Sequence, residues 1–119
     1  MAMLAMDVPP PLSAPAPLAR VLSFADEFRF NTSRSAVPAG PVLLQVKSIG
    51  EDEHDLRIIG PKGRVRAETG VVDPGELGQI RTRLAQGRYT YYCTVADHAE
   101  RGMTGALLVR AVKKAKRRP

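Results

Sequence analysis

Gly87-Arg-Tyr-Thr-Tyr-Tyr-Cys-Thr-Val-Ala-Asp-His-Ala-Glu-Arg-Gly-Met103 carries both the strand pattern and the chemistry of this 119-residue chain. In Tyr89-Thr90-Tyr91-Tyr92-Cys93 a period of two puts Tyr89, Tyr91 and Cys93 on one face, with Thr90 and Tyr92 on the other. Cys93 then stands where the chain leaves the sheet. It is the only cysteine, and Met103 is the only methionine beyond the N-terminal segment. Four residues separate Cys93 from His98, and four more separate His98 from Met103. A loop between neighbouring strands can bring all three side chains together.

Working outward, the same texture continues. Val42, Leu44 and Val46 alternate with Leu43, Gln45 and Lys47, and Ile80, Thr82 and Leu84 alternate with Arg81 and Arg83. Turn signals fall at Pro38-Ala-Gly-Pro41, Gly50-Glu-Asp-Glu53, Gly60-Pro-Lys-Gly63, Asp73-Pro-Gly75 and Ala85-Gln-Gly87. Phe24, Phe28 and Phe30 suggest a first strand bent at Ala25-Asp26-Glu27, and His54 is expected to open a strand running to Ile59. With no sustained helical stripe, the fold class is all-β, an antiparallel β-sandwich of about seven to eight strands. The length allows one domain.

The expected organisation is a Pro-rich tail or linker over residues 1–20, a folded domain over 21–112 and a basic tail over 113–119. Five of the ten prolines lie in the first 20 residues, which favours an extended, solvated backbone there. That segment lacks the basic start and unbroken apolar run of a signal peptide, and no stretch reaches the ~20 apolar residues of a membrane-spanning helix. The net charge of +6 is mostly local: Lys113, Lys114, Lys116, Arg117 and Arg118 supply five of it. The basicity belongs to the tail, where weak contact with anionic lipid is the expectation to weigh. Without interleaved aromatics it offers no stacking platform for nucleic acid. A single cysteine rules out an internal disulfide.

The chain's second histidine, His54, lies in Glu51-Asp-Glu-His-Asp55. Two imidazoles, a thiolate and a thioether are the ligand types of a mononuclear copper site of the electron-transfer kind. His54, Cys93 and His98 would form a trigonal plane, with Met103 a long axial contact. Each residue alone has an ordinary explanation: a buried small apolar Cys, a solvated loop His, a core Met. As a set they use every His and Cys in the chain.

At these residues the chain resembles a known family. Gly-x-Tyr-x-Tyr-x-Cys, Cys-x4-His-x4-Met and the following Gly105 are similar to the small cupredoxins, or type 1 blue copper proteins. Their loop lengths are most like the rusticyanin, sulfocyanin and auracyanin branch. The resemblance covers about residues 21–112, including His54-Asp-Leu56 and the closing Met103-Thr-Gly-Ala-Leu-Leu-Val109. It implies a Greek-key sandwich with one copper ion at one end, held by His54, Cys93, His98 and Met103. It also implies a non-enzymatic, extracytoplasmic and monomeric protein, shuttling single electrons between a redox donor and an acceptor protein. His98 would protrude its ring edge to solvent as the electron port, with Tyr92 a second port. Two departures stand out. Asp55 takes a place where many members have Asn, and Ala96-Asp97 stands where the loop often reads Pro-Gly.

Carboxylates at Asp52, Glu53, Asp55, Asp97 and Glu100 would favour the cupric state, lower the potential and call for a basic partner. Three rivals remain. An enzyme would need further histidines or an oxyanion site. A copper carrier or storage module would use the same ligands. A metal-free or zinc-filled binding domain is the third, because two His and one Cys also suit Zn²⁺.

Overall fold

The computed structural model describes residues 18–112. The expectations for residues 1–17 and 113–119 therefore lie outside the described residues. Nine strands are present among the latter: β1 (Ala19–Asp26), β2 (Arg29–Thr32), β3 (Ala36–Pro38), β4 (Gly40–Ser48), β5 (Arg57–Ile59), β6 (Val65–Glu68), β7 (Leu77–Leu84), β8 (Gly87–Tyr92) and β9 (Thr104–Arg110). They form two sheets, ordered β2-β1-β4-β7 and β3-β9-β8-β5-β6. The all-β sandwich expected from the alternation is the architecture observed.

The core lies between the sheets, and period two decides what enters it. Along β1, Ala19, Val21, Ser23 and Ala25 point inward; along β4, Val42, Leu44, Val46 and Ser48 do. Opposite them stand Ile58, Tyr89, Tyr91, Leu107 and Val109 of the second sheet. The buried polar groups there are paired. Tyr91 Oη lies 2.8 Å from Thr32 Oγ1, which is 2.9 Å from Ser23 Oγ, so a row of hydroxyls crosses the sandwich. Tyr89 donates its hydroxyl to Ala85 O at 2.7 Å. A buried hydroxyl without a partner would cost about 1–3 kcal/mol, so these bonds fix where the tyrosines sit.

Five details differ from the sequence reading, beginning with the strand count, which is nine among the described residues where about seven to eight were expected. The sandwich is mixed rather than wholly antiparallel, because β1 runs parallel to β4 and β3 parallel to β9. Alternation reports which face is buried and is blind to strand direction. The chain passes from β3 in one sheet to β4 in the other through Ala39 and Gly40, whose φ of 132° suits glycine. The bend at Ala25-Asp26-Glu27 is a full reversal, so the three phenylalanines lie on a hairpin of β1 and β2. Finally, β1 starts at Ala19, two residues before the expected domain start, and His54 lies outside β5. His54 instead makes an isolated antiparallel bridge to Val72, with N···O distances of 3.1 and 2.7 Å.

Candidate metal centre

Three loops at one end of the sandwich supply the site: residues 49–56 after β4, residues 93–103 after β8, and the β1–β2 turn. The first is anchored on the core. Ser48 Oγ donates to Asp52 O at 3.2 Å, and Ile49 N donates to Ala25 O at 2.9 Å. The second closes on itself. Cys93 N donates to Met103 O and Met103 N to His98 O, both at 3.1 Å. Between them, bonds from His98 N to Val95 O and from Arg101 N to Asp97 O wind the loop into helical turns. Ala96 occupies the left-handed region at φ 44°. At Ala96 the loop thus leaves the path a proline could follow, whose φ is fixed at about −65°, and it carries a strained alanine there.

All four sequence-predicted residues meet at this end. Exposures of 0% for His54, 1% for Cys93, 3% for His98 and 0% for Met103 make the cluster fully internal. Cys93 Sγ stands 4.0 Å from His54 Nδ1 and 3.6 Å from His98 Nδ1, and the three donor atoms lie within 4.8 Å of one another. Two donors bound 2.0–2.3 Å from a common ion and 120° apart would be separated by about 3.8 Å. Both sulfur–nitrogen distances are close to that value, so the donor set fits a trigonally held ion. Burial pushes the Cys93 thiol above its ordinary 9.0. A cation would reverse this by stabilising the thiolate.

The outer partners of the histidines were not legible in the sequence. Glu27, in the β1–β2 turn, accepts from His54 Nε2 at 2.8 Å and from the backbone N–H of Glu51 at 2.7 Å. The Glu51 N–H, followed by His54, holds the Glu27 carboxyl below its ordinary 4.5. Asp52 Oδ2 lies 3.3 Å from His98 Nε2. Phe28 covers the His98 ring at a centroid distance of 5.0 Å, and the Arg101 guanidinium covers Phe28 at 4.8 Å. The expectation that the His98 edge protrudes into solvent is therefore corrected: a carboxylate and an aromatic ring close it off. Tyr92 is half-buried, with Arg57 Nη1 3.3 Å from its hydroxyl.

The expected acidic surroundings divide by role. Asp55 is buried and accepts from Thr94 N at 2.6 Å and, through its other oxygen, from the Thr94 hydroxyl. It ties the His54 segment to the Cys93 segment. Asp97 is exposed and bound to Arg101 Nε at 2.8 Å, while Glu53 and Glu100 are exposed. Only Asp52, of the five, stands against a histidine of the site.

No protein-family model matches the sequence, and comparison with curated proteins finds no match either. Solved structures do match. Auracyanin B superposes with a TM-score of 0.65 at 23% identity, over 82% of this chain and 91% of that one. Auracyanin A of Chloroflexus aurantiacus, described as a blue copper protein, gives 0.63 at 17% identity over 79% of this chain and 100% of that one. Reduced rusticyanin gives 0.56 at 21% identity, over 78% and 79%. The chain has the cupredoxin fold. Within a cupredoxin sandwich the cluster of His54, Cys93, His98 and Met103 lies where two loops and a β-bridge meet at one end.

Proposed function

We propose that this chain is a mononuclear type 1 copper protein that transfers single electrons. The observation that carries the reading is the convergence of two imidazole Nδ1 atoms on one buried thiol, at spacings suited to a trigonal ion. His54, Cys93 and His98 would hold the ion, together with Met103 buried beside them. Copper bound there would supply the one-electron Cu(II)/Cu(I) couple. The protein's part is to hold the donors still. Cys93 and Met103 are locked by their backbone pairing, His54 by its bridge to Val72 and His98 by the turn that returns to Met103. Donors that keep their places in both oxidation states keep reorganisation small.

Both histidines and the one cysteine of the sequence are used in this group. None remains for a second copper centre, which favours electron transfer over oxidase or reductase chemistry. The rim carries exposed Glu51, Asp52, Glu53, Asp97 and Glu100, so the donor and acceptor proteins should present basic docking faces. Half-buried Phe28 over His98 and half-buried Tyr92 beside Cys93 are the two routes for the electron. An extracytoplasmic location and a monomeric state belong to the same proposal.

Cu(II) titration of the metal-free protein tests it. The expected result is an intense blue colour from thiolate-to-copper charge transfer, saturating at one ion per chain and bleaching reversibly on one-electron reduction. Rapid surrender of the copper to a competing chelator would favour a carrier. Absence of colour would reject the reading.

A further inference from the structure

We propose that Glu27 is a positioning residue of this site, acting through His54, and that its charge, with that of Asp52 beside His98, biases bound copper toward the cupric state. The inference rests on the copper reading for its redox half and stands without it for its structural half.

The Glu27 carboxylate sits in a prepared place. The N–H of Glu51 donates to Oε1 at 2.7 Å, while His54 Nε2 lies 2.8 Å and Asp52 N 3.5 Å from Oε2. Gly50 lies directly beneath it, and a Cβ there would overlap all three carboxylate atoms. The turn therefore leaves out a side chain where the carboxylate rests. Glu27 keeps only 24% of its side-chain surface, while His54 keeps none.

A carboxylate can only accept, so the bond to Glu27 requires the proton of a neutral His54 to be on Nε2. Nδ1, the atom that faces Cys93, then offers its lone pair inward. This fixes both the tautomer and the ring orientation that an ion needs. At His98 the arrangement is parallel: Nδ1 faces Cys93, and Nε2 faces Asp52 at 3.3 Å. Each imidazole thus carries a negative group on the side away from the thiol. Negative charge at that position makes the ring a stronger donor and stabilises the more positive oxidation state of an ion on the other nitrogen.

Two measurements test the two halves separately. In metal-free protein, nitrogen–proton correlation NMR of the imidazoles reads the tautomer directly. His54 is expected as the Nε2–H form, and Glu27→Ala should reduce that preference. A parent His54 protonated on Nδ1 alone would overturn the proposal whether or not the protein binds copper. In copper-loaded protein, Glu27→Gln keeps an accepting oxygen and removes the charge. The ratio of Cu(II) to Cu(I) affinity should fall about tenfold, the lower end for loss of an outer partner. That is an upward shift of about 59 mV for a one-electron couple. Gly50→Ala, which displaces the carboxylate without altering its charge, should shift the potential the same way. An unchanged or lowered potential in Glu27→Gln would overturn the redox half, whereas a parent that takes up no copper would overturn the copper reading and leave the tautomer result standing.

Discussion

Replacing Asp55 by asparagine should weaken the protein. The reason lies in Thr94. Its N–H and its hydroxyl both donate to Asp55, one to each carboxylate oxygen, and the whole group is part-buried. Asparagine keeps an accepting oxygen for the Thr94 N–H and sets an NH₂ group against the Thr94 hydroxyl, which can turn to accept from it, so both contacts survive but neither is to a charged group any longer. A hydrogen bond to a charged group contributes about 1.5–3 kcal/mol, about 1 kcal/mol more than a neutral one, and a buried donor left unpaired costs about 1–3 kcal/mol. Asp55→Asn is therefore expected to cost about 2 kcal/mol, and Asp55→Ala, which removes both acceptors, about 3–4 kcal/mol. Urea denaturation of the metal-free protein measures both without interference from a bound ion. The decisive arm is a double-mutant cycle. In a Thr94→Val background the hydroxyl is gone, the remaining N–H still meets the amide oxygen, and the asparagine penalty should shrink by about 1 kcal/mol or more. A penalty equal in both backgrounds, or Asp55→Asn as stable as the parent, would refute this account of how the two ligand-bearing segments are joined.

Gly105→Ala would drive a Cβ into the ring and hydroxyl of Tyr91, which is held by Thr32. It should cost about 1–3 kcal/mol, visible as a melting temperature lowered by about 4–8 °C per kcal/mol. Ala96→Gly should raise stability by about 0.5–1 kcal/mol in the same melts, because the left-handed φ of 44° is unfavourable for alanine. The raised Cys93 pKa sets a pH dependence in metal-free protein. A group whose folded pKa lies above its unfolded value stabilises the fold fully below 9.0, and that contribution is lost as pH rises through the folded value. Parent stability should therefore fall relative to Cys93→Ala between neutral and strongly alkaline pH; a gain would contradict the buried neutral thiol.

Much of this architecture is legible in the sequence because burial on a strand repeats every second residue. Tyr89, Tyr91 and Cys93, or Val42, Leu44 and Val46, announce their face without any knowledge of neighbours. The ligand set is legible for a different reason: the chain has so few His, Cys and body Met residues that their chemistry is conspicuous. What is hidden is whatever depends on strand direction or on contacts distant in sequence. Parallel pairing of β1 with β4 leaves no mark on alternation. Glu27 is 27 residues from His54, and Asp55 is 39 from Thr94. Glu27, in particular, reads as an ordinary turn carboxylate until the hairpin carries it over Gly50. The closed edge of His98 was hidden likewise, since Phe28 and Asp52 reach it from two other loops.

X-ray absorption at the copper edge of the loaded protein addresses the donor set itself. The expected spectrum has one short sulfur and two imidazole nitrogens around a single ion, and loses the sulfur in Cys93→Ser. A shell of nitrogen and oxygen alone, unaffected by that substitution, would mean that the three side chains gathered at this end of the sandwich do not share an ion.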